Sequence, residues 1–132
     1  MIPITGLYIG LTILLAGILG MRVGLYRGAK RISILHGDDM ELATRMRAHG
    51  NLLETAALTL LAMAAIELGG ASPTLLHGLG GAFILARIAH PLGLKADDVT
   101  PPLRAIGAML STLVMLTAGG VAIWQYVSKT LG

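Results

Sequence analysis

The sequence has no cysteine, few aromatic side chains and little charge, and each shortage removes a class of protein. Without cysteine there is no disulfide scaffold and no nucleophilic thiol of the protein's own. One Trp, three Tyr and one Phe leave no basic, aromatic-interleaved stripe of the kind that stacks nucleic acid strands, despite a net charge of +3. Charged residues are 13% of the chain, against about a quarter in soluble domains, too few to coat a water-facing surface. What fills the 132 residues is apolar: 55% hydrophobic, with a mean hydropathy of +0.76. Disorder is excluded by that hydrophobicity. The chain reads as one integral membrane domain, 1–132, of the all-α class.

A bilayer core of about 30 Å takes about 20 apolar residues at 1.5 Å each. Met1 to Met21 is uncharged, and so is Ala105 to Trp124. With the apolar run Leu52 to Leu68 and a stretch opened by Pro73, they predict four spans, at about 4–26, 39–68, 73–94 and 102–127. The first span has no basic residue ahead of it and exceeds a signal peptide's apolar core, which predicts an uncleaved helix. Asp38 with Glu41 three residues on is the pattern of a capping box opening the second. Arg22, Arg27, Lys30, Arg31, Arg45 and Arg47 surround the first connection; Lys95 and Arg104 flank the third. The second has no basic residue and the C-terminus has only Lys129, so the positive-inside rule places both termini outside the cytoplasm. The basic connection also suits anionic lipid headgroups. Trp124 and Tyr126 read as an interfacial belt.

Gly6, Gly10, Gly17, Gly20 and Gly24 fall within about 80° of one another at about 100° per residue, a seam that admits another backbone in lipid, from this chain or another. Gly78 to Gly81 reads as packing within a span. His49 reads as structural, His36 as a loop residue and His77 as interfacial, and Asp97 and Asp98 as solvated loop or cap residues. No metal-ligand spacing and no phosphate-binding loop occurs.

Ionisable groups inside a membrane helix cost about 2.5–3.5 kcal/mol at mid-bilayer and are retained mostly for function. Here they gather at one depth. Arg47, Asn51 and Glu54 stand at i, i+4 and i+7 on one face of the second span. Arg87 and His90 share a face near the inner end of the third, and Arg104 opens the fourth; Glu67 and Lys129 stand near the opposite end. Guanidiniums pair with carboxylates and Glu54 with an ammonium, so a small zwitterion with several carboxylates would satisfy the set. A self-neutralising network, with Glu54 paired to Arg47 or Arg87 and fixing helix register, would satisfy it equally.

Arg47-Ala48-His49-Gly50-Asn51-Leu52-Leu53-Glu54 resembles the signature of the MAPEG family, the membrane-associated proteins of eicosanoid and glutathione metabolism. Ala86-Arg87-Ile88-Ala89-His90, then Pro102-Leu103-Arg104, resembles that family's third-helix end and fourth-helix start, so the resemblance spans essentially the whole chain. It implies a four-helix bundle assembled as a homotrimer in a bacterial inner membrane. Reduced glutathione would be the co-substrate, held between subunits near the cytoplasmic face by Arg47, Asn51, Glu54, Arg87 and His90. Arg104 would lie by its sulfur, favouring the thiolate that attacks a small lipophilic electrophile or hydroperoxide. A basic residue of the first span, Arg22 or Arg27, would complete the site; either reads equally as an arginine snorkelling to the interface. The sequence departs from the better-known enzymes at Leu94, where they place a tyrosine, at Ala105 and Ala108, where they place a hydroxyl and a tyrosine, and at Gly50, which replaces a basic residue of some members. Ser111 and Thr112 are the nearest hydroxyls, about two turns deeper. Three functions therefore compete: a glutathione-dependent transferase or peroxidase, a non-catalytic lipid-binding or scaffold protein of the same fold, and, ranked last, a small drug exporter, which would need an acid in the first span that this chain lacks.

Overall fold

A computed structural model describes residues 1–95 and 101–130. Four helices occupy them: α1 (Pro3–Lys30), α2 (Met40–Leu68), α3 (Pro73–Gly93) and α4 (Pro102–Thr130). Each is long and apolar enough to cross a membrane, and no strand occurs among the described residues. Asp97 and Asp98 lie outside them.

The connections follow from local backbone chemistry. α1 runs one turn past the expected end at Tyr26 and closes where Arg31 turns left-handed (φ 56°) and the Ile32 N–H reaches back to the Arg27 carbonyl. Arg27 and Lys30 in that last turn complement the helix dipole. α2 opens one residue later than the expected cap. Asp38 has φ 63°, whereas a cap needs extended backbone, and Asp39 supplies it (φ −85°, ψ 104°), its carboxylate accepting from the Leu42 N–H at 2.9 Å. Glu41 pairs instead with Arg45, at 2.7 Å.

The Leu42 N–H, with the Tyr26 hydroxyl and Lys30 assisting, holds the Asp39 carboxyl below the usual carboxylate range. A depressed native pKa stabilises the helix start above the unfolded value, and the benefit is lost as pH falls through the native one. Acidification should therefore lower the exchange protection of the Leu42 amide. Asp39→Asn, which still accepts the bond, should remove that pH dependence; an unchanged dependence in the variant would assign it to another group.

At the opposite end, helix termini are capped by side chains from other helices. α1 begins without a side-chain cap of its own and without an acid in its first turn. Glu67, in the last turn of α2, fills that role: its two carboxylate oxygens accept from the N–H groups of Ile4 (2.9 Å) and Thr5 (2.7 Å). Gln125 and Lys129 of α4 donate to the carbonyls of Ile66 and Gly69, where α2 ends. Charge complements dipole in each ionic case.

The core packs Tyr8 of α1 against Met63, Leu76, Leu79 and Phe83. Tyr8 lies where a Cβ on Gly80 would stand, so α1 meets α3 at a notch only glycine provides, and its hydroxyl meets His77 Nδ1 at 3.0 Å. The packing expected of Gly78 to Gly81 thus resides at Gly80, while Gly78 is open. Among the described residues the α1 seam is not an intrachain contact: a Cβ on Gly6, Gly10, Gly17 or Gly24 would meet nothing within 4 Å, and of the five only Gly20 has a neighbour, His49 at 3.4 Å. The buried stripe of α1 is Thr5, Tyr8, Thr12 and Leu19. Close backbone approach occurs instead between α3 and α4, at Gly93 and Gly107.

Candidate functional site

Arg87 sits in the last third of α3 and is 2% exposed. Its guanidinium joins three helices. Nη1 donates to Asn51 Oδ1 (2.7 Å) and Thr55 Oγ1 (3.1 Å) of α2, and Nη2 to the Gly107 carbonyl of α4 (3.0 Å). The last bond depends on Gly107, because a Cβ there would stand 2.8 Å from the Ala86 carbonyl oxygen and the His90 nitrogen. The Arg87 Nε is buried without a partner. All three acceptors are neutral, so the cation is held by dipoles, and its visible effect is to fix the Asn51 amide. The fork that sequence reasoning offers to a ligand carboxylate is thus turned inward, on protein acceptors.

Arg47 and Glu54 take the other direction. They bond across two turns of α2, Nη1 to Oε1 at 2.9 Å, with their side chains 60% and 57% exposed. Of the two partners open to Glu54 in the self-neutralising reading, this is Arg47. Gly50, without a side chain, lies under the bridge. The pair begins the apolar part of α2, with exposed Leu53 beside Glu54 and exposed Leu58 and Leu61 following.

Beside it an open groove of about 200 Å3 runs between the start of α2 and the residues that follow α3 and begin α4, Leu94, Lys95 and Arg104. Arg47, Lys95 and Arg104 contribute three cations to its wall, and Leu94 and Thr44 line it too. Arg104 is half-buried in the first turn of α4, whose backbone rests on Gly93. His90 is buried behind this layer. The six expected residues therefore share one end of the bundle but divide between its inside (Arg87, His90, with Asn51 at the boundary) and its outside (Arg47, Glu54), Arg104 lining the groove between.

Of the first-span candidates, Arg27 donates to Met46 Sδ at 3.4 Å, and neither it nor Arg22 lines this groove. Ser111 spends its hydroxyl on the Gly107 carbonyl (2.7 Å) and Thr112 on Ala108 (3.0 Å). Three participants escaped the sequence reading. Thr55 stands one turn after Asn51, on its face, and could have been found by extending the i, i+4 series. Lys95 was legible only as a topology signal. Gly107 carried no signal, because its value lies in what stands opposite.

The model of the MAPEG family matches residues 5–124, nearly the whole chain. No curated protein and no solved structure matches.

Proposed function

The chain belongs to the MAPEG family, and on that premise we propose that it is a membrane-bound glutathione-dependent transferase or peroxidase acting on lipophilic substrates. The carrying observation is the Arg47–Glu54 pair, half exposed on the flank of a membrane helix and adjoining a groove with two further cations. An ion pair at that depth is costly against lipid and belongs on a protein or water-filled interior. A second copy of the chain supplies the cover, in the homotrimer that the family resemblance implies, with glutathione between subunits.

Glutathione carries two carboxylates and one ammonium. Arg47 takes a carboxylate, Glu54 exchanges its guanidinium for the ammonium, and Asn51, fixed by Arg87, adds an oriented amide. Arg104 stands by the sulfur, where positive charge stabilises thiolate over thiol. The thiolate then forms a carbon–sulfur bond, the electron pair leaving with the displaced group or collecting a proton on the adduct. On a hydroperoxide it attacks the distal oxygen, the O–O bond breaks, and an alcohol departs after protonation. A second glutathione converts the resulting sulfenic acid to disulfide and water. The basic end faces the cytoplasm of an inner-membrane protein by the positive-inside rule.

Glutathione titrated into the purified protein should bind saturably and develop the ultraviolet absorbance of a thiolate, lost in Arg104→Gln. Glu54→Gln should weaken binding about tenfold while the oligomer persists, since one charge-assisted contact is removed. Dissociation of the oligomer instead would mark Glu54 as a register device. One feature supports a second reading, a binding or scaffold protein: the groove wall at Leu94 is aliphatic. Binding without thiolate would select it, and no binding would remove both.

A further inference from the structure

Adjoining the groove, and sharing Thr44 and Leu94 with it, a smaller cavity of about 70 Å3 lies at the basic end between α1, α2 and the end of α3. Arg22 and Leu19 of α1, Glu41, Thr44 and Arg45 of α2, and Pro91 of α3 line it. Arg45 is already fixed there, bonded to Glu41 at 2.7 Å and stacked 4.3 Å over the Tyr26 ring. Arg22 is not: among the described residues its guanidinium has no hydrogen bond and no ion pair. It rises from α1 between Ile18 and Leu25, one turn away on either side and 54% and 73% exposed, so a free cation opens into a polar cavity from an apolar face.

We propose that this cavity binds the phosphate oxyanion of a membrane phospholipid with net negative charge. Two guanidiniums against one carboxylate leave the described lining one positive charge, which matches a phosphodiester monoanion more closely than inorganic phosphate, which is partly a dianion at neutral pH. The volume exceeds the roughly 10–15 Å3 that one water needs and suits one tetrahedral oxyanion, far short of a tripeptide. A guanidinium fork matches two phosphate oxygens, and basic pockets between membrane helices receive anionic headgroups. The acyl chains lie along Ile18 and its exposed neighbours. The proposal does not rest on the thiol reading, and its test contains no glutathione.

The protein is purified in neutral detergent, and lipid retention is read by native mass spectrometry. The probes are short-chain phosphatidylglycerol, phosphatidylcholine of the same chain length, and inorganic phosphate. The wild type should hold phosphatidylglycerol about tenfold more tightly than phosphatidylcholine, the effect of one charge-assisted contact. Arg22→Gln should abolish the preference and Arg22→Lys restore part of it. Because Arg22 has no hydrogen bond or ion pair among the described residues, the variant should keep the wild-type circular dichroism; if it does not, Arg45→Gln supplies the same comparison. Equal retention of both lipids, a preference surviving both Gln variants, or full displacement by equimolar inorganic phosphate would each overturn the proposal, the last by assigning the site to a free anion.

Discussion

Arg87→Ala should lower the stability of the folded chain by about 3 kcal/mol, measured as the shift of a reversible denaturation midpoint in detergent. Hydrogen bonds between membrane helices average only about 0.6 kcal/mol, because the unfolded chain in the membrane also finds partners. Three such bonds would give about 2 kcal/mol. Arg87 exceeds that average because its bonds are charge-assisted and its removal leaves a cavity where α2, α3 and α4 meet. Against this stands the desolvation of a cation that no carboxylate among the described residues offsets, which substitution relieves. Arg87→Met separates these effects. It refills the volume and should recover part of the stability, but it cannot hold the Asn51 amide, so on the proposed function both variants should lose glutathione affinity. An Arg87→Met protein as stable as wild type that binds glutathione undiminished would show the clamp to be dispensable.

Gly107→Ala should cost about 2 kcal/mol, although helix propensity alone favours alanine by about 1 kcal/mol. The new methyl would lie 2.8 Å from two atoms of the α3 backbone. Backbone does not rotate aside as a side-chain tip does, so α4 must retreat, and overpacking of that kind costs about 1–3 kcal/mol. Retreat also stretches the bond from Arg87 Nη2 and the contact that seats α4 beside the groove. Gly120→Ala is the control within the same helix: nothing lies within 4 Å of its added methyl, so it should be neutral or slightly stabilising. Gly107→Ala and Arg87→Met act on one shared bond, and their effects should fall short of additive in a double-mutant cycle. Full additivity would mean that Gly107 and Arg87 do not act together.

Much of the site was legible as a layer. Arg47, Asn51 and Glu54 share a face because 3.6 residues per turn places them there, and Arg87 and Arg104 reach the same depth because spans of fixed rise cross a core of fixed thickness. The rest was not legible for equally physical reasons. Asp38 and Asp39 differ as caps only through the φ each adopts, which the preceding loop sets. The α1 glycines form a regular seam, yet among the described residues the close approaches between helices use Gly69, Gly80, Gly93 and Gly107, because a glycine packs only where another helix stands opposite. Glu67 read as a lone acid until α1 was seen to begin beside it.

By itself the sequence determined four membrane helices, their basic end and the depth of the polar residues, since those depend on hydropathy, length and charge along one chain. Only the tertiary structure decided that Arg87 turns inward onto Asn51 and Gly107 while Arg47 and Glu54 turn outward to pair with each other. Helical periodicity specifies which residues share a side of one helix. How that helix is rotated against its neighbours is set by contacts between residues far apart in the chain, and a glycine on α4 does as much to set it as the arginine on α3.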